Sequence, residues 1–127
     1  EFVYFGGEKA EKNKDANVER LGWLPIYEVI KQSSMYLRFV RHDATSLSNI
    51  EFLCANRPVL TNWEMPYATI LKEKEEGEFA QKEIVEKIRE IRANPPALKG
   101  ARKFYENRHN VGDFKRLLER IKTKGTI

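Results

Sequence analysis

The chain has one cysteine, Cys54, among its 127 residues. A single thiol cannot close an intrachain disulfide, so a disulfide scaffold is excluded and a reduced, cytoplasmic setting is expected. No run of about 18 apolar residues occurs, so no membrane-spanning helix is expected. The opening Glu-Phe-Val-Tyr-Phe lacks a basic flank and a cleavage site, which argues against a signal peptide. The two histidines, His42 and His109, are far apart in the chain, and no Cys or acid cluster supplies ligand spacing, so no metal is expected. Gly6-Gly7 is too short for a dinucleotide fingerprint, and neither a P-loop nor a Ser-His-Asp order is present. Internal repeats and low-complexity segments are absent as well.

What is present suits one domain with a single core, spanning 1–127, since 41% of the residues are hydrophobic. A buried strand is expected at residues 35–40. A short amphipathic helix and a strand opening at Pro58 follow. Residues 8–17 are charged and aperiodic, which reads as a surface loop or frayed helix. Helical spacing recurs over 65–74 and 79–92, where Ile84, Val85, Ile88 and Ile91 share a face, then over 97–107 and 113–122. Residues 77–79 offer a short edge strand. Strands alternating with helices, then helices alone, predict an α/β domain: Rossmann-like, three-layered, with a parallel sheet of four to five strands and C-terminal helices.

Residues 42–62 carry most of the chemistry. His42 and Asp43 follow a strand, and Ala44, Thr45, Ser46 and Ser48 are small or hydroxylated, leaving backbone amides approachable where a helix begins. Such a helix start, with its positive dipole end, is a phosphate site by construction. On the helix itself, Leu47, Ile50, Leu53 and Cys54 form the expected apolar stripe. Glu51 borders that stripe and should be partly buried, where a carboxylate accepts hydrogen bonds from sugar hydroxyls. Ser48-x-x-Glu51 equally fits a capping box, and Asp43 or Thr45 an ordinary N-cap, so geometry alone leaves both readings open. His42 divides the same way between ligand donor and turn residue. Trp23 could flank a nucleobase, although a tryptophan after a strand more often packs in a core. Asn62 and Glu64 lie just past the strand that opens at Pro58.

Four blocks in order resemble the C-terminal, nucleotide-sugar-binding half of GT-B glycosyltransferases, above all the large retaining family that includes sucrose and mannosyl transferases. They are Glu-Phe-Val-Tyr-Phe-Gly-Gly at 1–7, Asn-Val-Glu-Arg-Leu-Gly-Trp-Leu-Pro at 17–25, the strand at 35–40, and two acids with seven residues between them, Asp43 and Glu51, followed by Ala-Asn-Arg-Pro-Val at 55–59. Arg38, His42 and Asp43 look like an Arg, His, Asp pattern in one branch of these enzymes. The resemblance implies a donor site in which Asp43, with His42 and Arg38, meets the sugar. It implies that Thr45, Ser46, Leu47 and Ser48 hold the diphosphate and that Glu51 binds the ribose. By the same resemblance Gly22, Trp23, Leu24 and Pro25 lie against the base, and the loop holding Asn62 and Glu64 approaches the sugar. The substrate would be a UDP- or GDP-type sugar, with no cofactor and no metal. In that family an Arg and a Lys that neutralise the diphosphate, and the whole acceptor-binding half, come from upstream. The expectation is therefore a hexosyltransferase donor domain, inactive without an N-terminal half or partner subunit.

Charge adds a second theme. The net charge is +4, and from Ala97 onward nine Lys or Arg stand against three acids. Such helices suit a solvated face or an anionic membrane surface, which would make the protein peripheral at the cytoplasmic leaflet. Nucleic acid is not expected, because only Phe104 and Tyr105 interleave aromatics with these bases. The rival to the transferase reading is a non-catalytic α/β interaction module or split subunit.

Overall fold

The computed structural model describes residues 2–5, 11–13, 18–40, 46–72 and 81–108. The chain is α/β and divides into two compact units, Glu1–Ser34 and Met35–Ile127.

The first unit holds β1 (Phe2–Tyr4), β2 (Glu11–Asn13), β3 (Val18–Arg20) and α1 (Ile26–Gln32). The sheet order is β1-β3-β2, with β1 parallel and β2 antiparallel to β3. Residues 11–13 are thus a strand where the sequence pattern gave a loop or frayed helix. Aperiodic charge hides a short strand whose stability comes from backbone pairing with its neighbour. After β3 the chain turns at Gly22, which is buried with φ of 70°, a conformation that glycine adopts without steric cost. Pro25 then opens α1, where a missing N–H costs nothing, and Glu28 N–H donates to the Pro25 carbonyl. Val29 is the residue this helix buries.

The second unit is built on β4 (Tyr36–Arg38), α2 (Leu47–Cys54), β5 (Val59–Thr61) and β6 (Thr69–Ile70), followed by α3 (Gln81–Ala93) and α4 (Ala101–Arg108). All three strands are parallel in the order β4-β5-β6. The described strands therefore lie in two three-stranded sheets, one in each unit. β5 is central, and Val59, Leu60 and Thr61 are each fully buried, as expected of a parallel strand covered on both faces. Helix α2 packs on β4 and β5, with Phe52 stacked on Tyr36 at 4.2 Å between ring centroids and 8° between planes. Full burial of Phe52, Leu53 and Leu60 stabilises this unit by about 1.5–3 kcal/mol per side chain.

The end of α2 follows from its sequence. Asn56, at φ 60°, takes the left-handed position; its N–H donates to the Leu53 carbonyl and that of Arg57 to Phe52, a Schellman closure, and Pro58 then cannot continue the helix. The helix expected over 65–74 is not formed: residues 66–67 turn, with Tyr67 at φ 70°, and Thr69–Ile70 pair with β5. Pro66 removes a donor and β-branched Thr69 and Ile70 favour the strand, overriding an apolar spacing that also fitted a helix. Helix α4 begins at Ala101 rather than 97 because Gly100 takes φ 99°. The segments expected at 77–79 and 113–122 lie outside the described residues. No helix among the described residues is long and apolar enough to cross a membrane.

Candidate functional site at the carboxyl end of the second sheet

Parallel pairing puts the last residues of β4 and β5 side by side, Arg38 opposite Thr61. The chain leaving β4 enters α2, so the start of that helix and the loop after β5 emerge at the same end of the sheet. β6 begins opposite Leu60, near the exit of β5. Residues 62–68 therefore need no crossover along the sheet and stay wound at its carboxyl end, where α/β sheets hold ligands.

Asn62 fixes this end. Val40 N–H donates to its Oδ1 at 2.9 Å, and its Nδ2 donates back to the Val40 carbonyl, so a side-chain amide replaces one backbone rung beyond the strands. Both polar atoms of the Asn62 amide are thus bonded to backbone. Trp63 N–H donates to buried Thr61 Oγ1 at 3.2 Å. The Asn49 amide reaches Met65 Sδ at 3.4 Å, a direct contact between the first turn of α2 and the loop. Tyr105 Oη donates to the Pro66 carbonyl, and the Tyr67 ring meets Phe104 edge-on at 5.7 Å, tying the loop to α4. Burial pushes the Tyr105 phenol up to about 12, with Cys54 and Tyr67 adding smaller effects of the same sign. Burial also raises the Cys54 thiol, helped by Glu106 and Glu51 and opposed by Arg102. Glu64 pairs with Lys72 at 2.7 Å, and that hydrogen bond and charge lower the carboxyl and raise the ammonium from their ordinary values.

The residues expected at the site divide as follows. His42, Asp43 and Thr45 lie outside the described residues. Ser46 is the N-cap of α2, buried, with no side-chain cap bond. Leu47 is 64% exposed, so it does not belong to a buried stripe. Ser48 caps nothing: its Oγ accepts from Tyr36 Oη at 3.2 Å. Glu51 is exposed rather than partly buried. The buried face of α2 runs instead through Asn49, Phe52 and Leu53, because the helix is rotated to set Phe52 over Tyr36. Arg38 is half-buried on β4. Gly22, Trp23, Leu24 and Pro25 belong to the first unit, where Trp23 is 77% exposed rather than packed in a core.

The sequence reading missed Asn49. Counted from Ser46 it is the third helical residue, three before Phe52, so its place on the buried face follows once that register is known. Its Oδ1 and Ser46 Oγ are both buried with no hydrogen-bond partner among the described residues. Two such atoms on one helix start are unusual, because each unsatisfied group costs about 1–3 kcal/mol. Among the described residues no group of three or more His, Cys, Asp or Glu could hold a metal ion.

None of the protein families, curated proteins or solved structures compared with this chain matches it.

Proposed function

We propose that this chain is the donor-binding domain of a glycosyltransferase, taking a nucleoside diphosphate sugar at the start of α2. The observation that carries the reading is the placement of that start. It stands at the carboxyl end of three parallel strands, and its N-cap hydroxyl, Ser46 Oγ, is buried without a partner among the described residues and can donate to a phosphate oxygen, whereas the unpartnered Asn49 Oδ1 can only accept. The leading N–H groups of a helix have no intrahelical acceptor, and a diphosphate meets them with the favourable end of the dipole. Exposed Glu51, one turn on, would accept from ribose hydroxyls. Asp43, His42 and Arg38 would face the sugar.

The reading carries with it a Rossmann-like domain over 1–127 with a parallel sheet of four to five strands. It also calls for an acceptor-binding half, from the same polypeptide or a partner subunit, and a cytoplasmic site of action, peripheral to the membrane through the basic C-terminal helices. Catalysis would rest on charge stabilisation of the leaving diphosphate rather than on a named general base.

Exposure of Leu47, an apolar side chain at the same helix start, favours a second reading, a non-catalytic module that docks a partner there. An amide NMR titration with UDP, GDP and ADP sugars separates the two. Saturable shifts over 46–51, weakened in Glu51→Ala, support the donor site. An unshifted spectrum at millimolar ligand refutes it for this chain and leaves the module.

A further inference from the structure

We draw no further inference here: the strongest candidate, the apolar face of α3 on which Ile84 and Ile88 are half-buried and Val85 is exposed, carries nothing because nothing in the structure shows what covers it.

Discussion

Removing the Asn62 amide should loosen the carboxyl end of the second sheet by a calculable amount. Its side chain exchanges two hydrogen bonds with the backbone of Val40, one accepted and one donated, across the gap where β4 and β5 stop pairing. A hydrogen bond of this kind contributes about 1 kcal/mol net, so Asn62→Ala should cost about 2 kcal/mol. With a urea slope of about 1–3 kcal/mol/M for a small protein, the unfolding midpoint followed by circular dichroism should fall by about 0.7–2 M. Asn62→Asp separates the two bonds. A carboxylate still accepts from Val40 N–H but faces the Val40 carbonyl with a lone pair, whereas the protonated acid can donate to it. The folded state therefore raises the pKa of the new carboxyl above its unfolded value of about 3.9. A raised carboxyl contributes stability that is fully present below the unfolded pKa and lost as pH rises through the folded one. Asn62→Asp should thus resemble the native chain near pH 3 and approach Asn62→Ala near pH 7. A midpoint for Asn62→Ala within about 0.3 M of native, or an Asn62→Asp deficit that does not change with pH, would refute the clamp.

Asn49→Leu keeps the branching of the side chain, removes the buried unpartnered Oδ1 and gives up only a weak contact to Met65. It should raise stability by about 1 kcal/mol, seen as a higher melting temperature, and leave any diphosphate shifts at α2 in place, because Oδ1 gives an anion no hydrogen bond. Tyr105→Phe deletes the bond to the Pro66 carbonyl and should destabilise by about 1 kcal/mol at neutral pH. Because burial raises the Tyr105 phenol from 10.0 to about 12, the native chain should lose stability as pH climbs through that window. The Tyr105→Phe deficit should shrink there, as compared by urea midpoints. Gly100→Ala forces a Cβ into φ 99° and 3.2 Å from Tyr67 Oη, and should lower the melting point by an amount equivalent to about 1–2 kcal/mol. Adding Tyr67→Phe should recover the steric share of that loss and leave the backbone share.

The α/β class and most element positions were legible in the chain, and for local reasons. Pro25 and Pro58 mark a helix start and a strand entry, and the β-branched and aromatic runs at 36–40 and 58–61 have few alternatives. What was illegible was decided by contacts between segments. The apolar spacing at 65–71 fits a helix by itself; pairing of Thr69 and Ile70 with Leu60 and Thr61 overrides it. Leu47 was assigned to the buried face of α2 and Asn49 was not, because hydrophobic character alone sets the stripe one register away from the one that Phe52 fixes by stacking on Tyr36.

That single rotation bears on the site more than any motif does. It turns Glu51 and Leu47 outward and brings Asn49 and Ser46 inward, so the carboxylate of the helix is exposed and the buried polar groups at its start are one neutral amide and one hydroxyl. Among the described residues, the one unpartnered side-chain donor there is the Ser46 hydroxyl, since Asn49 Oδ1 can only accept. The same packing explains why the loop after β5 is so firmly held. Asn49 and Tyr105, the residues that reach Met65 and Pro66, sit on α2 and α4, which pack on one another, so the helix start and the Trp63 loop are set by one shared interface. Leu53→Ala, which empties a buried site on α2 at a cost of about 2–5 kcal/mol, should therefore disturb the amides of α2 and of the loop after β5 together.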